Sequence, residues 1–145
     1  MIEEIIYKNK LYALIIKENY QNKKGISFFT KNDANQQIGF MSHPKNYFIK
    51  PHKHQKRETK IFITSEVIIL QKGKLRVDFY DTRKKYLFSV VIKKNQIIML
   101  VHGGHGFKVL EQVKMLEIKQ GPYVSDKDKV KFDKIDEKKI KIKKI

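Results

Sequence analysis

Cysteine is absent from the 145 residues of the chain. That excludes a disulfide scaffold, a thiolate metal site and a cysteine nucleophile, and it fits a reducing compartment. Tryptophan is absent too, although nine Phe and seven Tyr supply aromatic bulk. Proline and glycine are scarce, at three and seven. Acidic residues are heavily outnumbered, 15 against 32 Lys plus Arg, for a formal net charge of +17 and a pI near 9.9. Long hydrophobic runs are missing. Runs such as Ile97-Ile98-Met99-Leu100-Val101 fall far short of the roughly 18 residues of a membrane-spanning helix. The N-terminus, Met1-Ile2-Glu3-Glu4-Ile5-Ile6, is acidic and lacks the basic segment and apolar core of a secretory leader. The expectation is a soluble, cytoplasmic protein with no membrane partner.

The positive charge invites a nucleic-acid reading. Yet arginine is limited to Arg57, Arg76 and Arg83, and lysine supplies the rest along the whole chain. Arginine is the residue suited to forked phosphate and guanine contacts. Biased codon usage with a solvated lysine surface explains the charge more simply, so specific nucleic-acid binding is not expected. A hydrophobic fraction of 41% argues against global disorder, and the length suits one domain with its own core.

Strand-length apolar segments recur over 11–16, 26–29, 38–41, 61–70, 75–80, 86–92, 97–101, 107–110 and 113–118. Many short β-branched and aromatic segments separated by turns predict an all-β sandwich or barrel. Lys72-Gly73 reads as a two-residue hairpin turn. Pairing Gln71 with Lys74 then sets Leu70 opposite Leu75, Ile68 opposite Val77 and Glu66 opposite Phe79. Opposed residues share a face, so Glu66 points into the core, with Arg76, Asp78 and Tyr80 on the other face. A carboxylate on an apolar face demands a partner. A second turn at Glu111-Gln112 would place His105, Phe107, Leu116 and Ile118 on one inward face.

Pro51-His52-Lys53-His54 is the sharpest local motif. Histidines at i and i+2 on a strand project from one face. With inward Glu66 and His105 they supply three imidazole nitrogens and one carboxylate. That donor set suits Zn, Fe, Mn, Ni or Co rather than Ca or Mg, which favour oxygen shells. His102 could replace His105 by a shift of loop register. His102 and Tyr123 are the candidates for catalytic proton transfer.

These residues resemble the first cupin motif: His52-x-His54, then Glu66, six residues, and Gly73. The stretch from His54 to Glu66 is longer than the common pattern. In the second motif His105 fits the ligand position through Gly103-Gly104 and Phe107, while the usual glycine and proline are missing. Ile49 to His54, Glu66 to Asp81, Gly103 to Leu110 and Lys119 to Tyr123 resemble small single-domain cupins of bacterial polysaccharide and sugar-modification gene clusters, over roughly residues 25–132. The resemblance implies a cupin-type jelly-roll β-barrel over residues 1–123 with N-terminal strands. A short, basic, helical or mobile tail follows over 124–145, its helix capped by Ser125 or Asp126. It also implies a divalent metal on His52, His54, Glu66 and His105. The implied substrate is a sugar or nucleotide-linked sugar, an anionic derivative included, and the implied reaction an isomerisation or epimerisation, or a dioxygenation with Fe(II). A non-catalytic ligand-binding or regulatory cupin is the alternative. Val67 and Ile69 face away from Glu66, and a second subunit would cover them, giving a homodimer.

Overall fold

The computed structural model describes residues 1–21, 24–124 and 128–145. Among the described residues there are eight strands: β1 (Ile2–Tyr7), β2 (Lys10–Ile16), β3 (Gly25–Phe28), β4 (Gly39–Ser42), β5 (Glu66–Tyr80), β6 (Tyr86–Lys93), β7 (Ile97–Leu100) and β8 (Gly104–Lys119). Their one sheet of six strands runs β1-β2-β7-β5-β6, with β8 along the other edge of β5, and β3 pairs with β4 separately. All the pairings are antiparallel. The expected all-β class is met by a curled antiparallel sheet that forms half a barrel. No helix among the described residues is long and apolar enough to cross a membrane.

Local chemistry accounts for the tight connections. Lys8 and Asn9 both take positive φ, 47° and 59°, the pair of left-handed residues that a right-twisted two-residue hairpin needs between β1 and β2. Between β5 and β6, the Asp81 side chain accepts from the backbone N–H groups of Arg83 and Lys85, both at 2.9 Å, fixing an Asx-type turn. Strand β1 is absent from the expected set because Glu3 and Glu4 interrupt its apolar pattern. Its buried Ile5 packs in the main core.

The main correction concerns the two expected turns. Lys72-Gly73 does not reverse the chain, and β5 runs unbroken through it from Glu66 to Tyr80. Nor does Glu111-Gln112 reverse the chain within β8. The two sites face each other across the β5–β8 ladder, where Lys72 pairs with Lys114 and Lys74 with Glu111 amid three register shifts. Two continuous strands bend together there. Threading β5 through the sheet gives each half neighbours on both edges. Residues 66–69 lie between β7 and β8, and residues 74–80 between β6 and β8. A closed hairpin would leave each half one of those neighbours.

The inward face of β5 is nevertheless the expected one. Ile68, Leu70, Leu75, Val77 and Phe79 are all in the main buried cluster. Leu70 and Leu75 differ in parity, and the irregular stretch between them restores the same side. On β8 the expected face divides. His105 and Phe107 pair with Phe79 and Val77 and so share the inward side, whereas Leu116 and Ile118 pair with Ile69 and Val67 on the reverse side.

That reverse side carries a second cluster of Leu14, Val67 and Met99, against which Phe29, Ile38 and Ile69 pack. Cover for Val67 therefore comes from within the chain, through Phe29 and Ile38 beside the β3–β4 hairpin. After Pro122 the described tail docks on the sheet. Ile142 bridges Ser89 in parallel, with Ser89 N–H donating to Lys141 O and Lys143 N–H to Ser89 O, both at 2.8 Å. A single 3-10 turn spans Glu137–Lys139, capped by Asp136. Ser125 and Asp126, the expected helix caps, lie outside the described residues.

Candidate functional site

Glu66 opens β5, and His105 is the second residue of β8. In the ladder Glu66 pairs with Lys119, while His105 pairs with Phe79, thirteen residues further along β5. A straight strand would separate those positions by roughly 43 Å. Instead His105 Nε2 lies 3.0 Å from Glu66 Oε2. The bend at Gly73 and the curl of the sheet bring opposite ends of one ladder together.

An ionised carboxylate only accepts, so His105 Nε2–H is the donor. That bond holds the Glu66 carboxyl below the usual carboxylate range, against desolvation, which raises it. The charges of His105, Lys129 and Lys119 add to the lowering. The sign for stability follows. Because the folded-state pKa is depressed, Glu66 contributes stability above its unfolded-state pKa, and this is lost as pH falls through the folded value. Urea midpoints of Glu66→Gln should therefore decline less steeply than those of the unsubstituted protein below about pH 5. Parallel acid limbs would show that the pair contributes no such linkage.

The pair lines an open cavity of about 550 Å³. One wall comes from β5 and β8, which add Arg76, Asp78 and Tyr80 and the side-chain-free Gly104 and Gly106. The other is the tail over 129–134 together with Glu137. Arg76 clamps the two walls. Its Nε and Nη2 donate to Asp78 at 2.7 and 3.1 Å, and its Nη1 and Nη2 donate to Glu137 at 2.7 and 3.0 Å. Ser89 Oγ donates to Asp78 Oδ1 at 2.5 Å, and Tyr80 Oη accepts from Ile135 N–H at 3.1 Å. The Arg76 guanidinium holds the Glu137 carboxyl below its usual range.

The other expected site residues lie elsewhere. His52 and His54 sit in the exposed, irregular stretch between β4 and β5, with ring centroids 5.4 Å apart and His52 Nδ1 2.9 Å from Lys50 O. His102 packs edge-on against Tyr12 at 5.2 Å and lines a second cavity, of about 610 Å³, beside Met99 and Val101. Tyr123 is exposed, with Lys119 Nζ 4.8 Å from its ring centroid. His43, which is not among the expected site residues, stacks on Tyr47 at 4.2 Å.

Glu66 and His105 thus converge, while His52 and His54 form a separate pair. Among the described residues no group of three or more His, Cys, Asp or Glu side chains is arranged to hold a metal ion. The chemistry of the converging pair still fits such an ion, since two donor atoms sharing a tetrahedral ion stand roughly 3.4 Å apart. The sequence reading did not find the Arg76–Asp78–Glu137 clamp. Its signal was present: an opposite-charge pair at i and i+2 on the non-core face of a strand, followed by an acid-bearing tail able to reach it.

No protein-family model matches the chain, and neither a curated protein nor a solved structure matches it.

Proposed function

We propose that the protein is a divalent-metal-binding jelly-roll cupin, acting as an enzyme on a small polar metabolite such as a sugar or nucleotide-linked sugar, in an isomerase- or epimerase-like reaction. The observation that carries this reading is the Glu66–His105 pair. Glu66 is a carboxylate on an otherwise apolar strand face, and the imidazole it meets comes from the far end of the same ladder, beside a ligand-sized cavity. A polar pair kept at that cost to packing fits a ligand or catalytic role.

Glu66 and His105 would hold the ion, with His52 and His54 as further donors from the exposed segment. The ion supplies Lewis acidity toward a carbonyl or hydroxyl of the substrate. The chain's own contributions are definite. Without an ion, His105 Nε2–H orients the Glu66 carboxylate and helps keep it ionised; to hold the ion, that nitrogen would give up its proton and offer its lone pair beside the carboxylate. Gly106 leaves room at the cavity wall, whereas Gly104 admits the close approach of the Phe132 ring.

Competition titration with Zn, Mn, Ni and Co against a chromophoric chelator tests the reading. Glu66→Gln and His105→Ala should each weaken the tightest-bound ion by on the order of 100-fold, and His43→Ala should leave it unchanged. Equal affinity in all four proteins, or no binding in any, would refute the metal site. Full metal binding without turnover of any sugar or sugar nucleotide would make the protein a binding cupin instead.

A further inference from the structure

The cavity beside Glu66 and His105 has an unbalanced charge. Four carboxylates line it: Glu66, Asp78, Asp133 and Glu137. Three are spent within the protein, Glu66 on His105 and the other two on Arg76. Arg76 is spent by the same bonds. Lys108 from β8 and Lys129, Lys131 and Lys134 from the tail also line the cavity, and their side chains make no hydrogen bond or ion pair with the described residues. Their charges reach the site: Lys129 acts on Glu66, and Lys108 and Lys134 on Glu137. With Arg76 the described lining carries five cationic side chains against four carboxylates, a net positive charge of one, and the four lysines are the cations left open to an incoming anion.

We propose that this cavity binds a phosphate-bearing small molecule, its phosphate held among Lys108, Lys129, Lys131 and Lys134. Several point-charge donors on one wall suit a dianion that accepts from all directions. A volume of about 550 Å³ is that of a metabolite site, and the only arginine there is already engaged, so a nucleic-acid backbone is the poorer fit. The inference deepens the reading of this cavity as a ligand site by naming its ligand's charge, and it does not require a metal.

The test uses the full chain after treatment with chelator, so that failure of the metal site leaves the result intact. Calorimetric titrations with glucose 1-phosphate, uridine diphosphate and inorganic phosphate are compared with glucose and uridine. Saturable binding of a phosphate-bearing probe alone is expected. Preference for the sugar phosphate or for the nucleotide identifies which source of phosphate the cavity takes. The triple variant Lys129→Gln, Lys131→Gln, Lys134→Gln should lose about tenfold or more in affinity. A charge-matched triple at Lys45, Lys93 and Lys94, none of which lines the cavity, should stay within about threefold. Lys108→Gln on β8 gives an independent variant should the tail triple disturb folding. No saturable binding at millimolar probe, equal losses in both triples, or displacement of the probe by an unrelated DNA duplex would each overturn the proposal.

Discussion

Arg76→Met should lower the free energy of unfolding by about 3–5 kcal/mol. Arg76 and Asp78 are only 6% and 4% exposed, so the substitution leaves a buried carboxylate with one remaining partner, the Ser89 hydroxyl. It also removes both bonds that hold Glu137 of the tail. Removing one member of a buried pair costs far more than replacing both. The double variant Arg76→Met, Asp78→Leu should therefore recover much of the loss. Urea unfolding measures both. Hydrogen exchange adds a local readout. In the single variant the amides of Ser89 and Lys143, bonded across the tail bridge, should lose protection before β7 does. A loss under about 1 kcal/mol, or unchanged exchange at Ser89, would mean that Arg76 does not secure the tail.

Gly73→Ala should cost about 3 kcal/mol or more. Gly73 has φ of 83°, a conformation that alanine adopts only with strain. A Cβ there would lie 2.1 Å from the Gln112 carbonyl oxygen and 2.9 Å from that of Glu111. Both are backbone atoms of β8, so relief requires moving one strand away from the other at the shared bend. That bend sets the approach of Glu66 to His105. The variant should thus also weaken ion binding, although neither donor is changed. Gly25→Ala is the control, since it too has positive φ but open space around it. A larger loss at Gly25 than at Gly73 would contradict the role of the bend.

Much of this arrangement was legible in the sequence, and the failures share a cause. Alternation along Glu66–Leu70 and Leu75–Tyr80 reported the main-core face correctly, because a side chain's side depends on local parity and not on its partner, although Arg76, Asp78 and Tyr80 on the other side are buried too. Partner identity was misread, because a glycine between two apolar runs signals a tight turn and a bend in a continuous strand equally well. The inward placement of Glu66 and His105 survived that error. Their contact depends on parity and on the curl of the sheet, and both hold here. The tail was illegible for another reason. Its docking rests on Arg76 meeting Glu137 across 61 positions of sequence, a pairing that no local pattern encodes. The unpaired lysines of the cavity were hidden among so many others that composition alone could not single them out.

The most direct measurement is the metal content of untagged protein by elemental mass spectrometry, for the unsubstituted chain, His105→Ala and the double variant His52→Ala, His54→Ala. The expected result is close to one ion per chain, with a sharp fall in both variants, because the proposed site draws its donors from all four side chains. The absence of bound metal from the unsubstituted protein after reconstitution with Zn, Fe, Mn, Ni and Co would contradict it. So would full occupancy in the two variants.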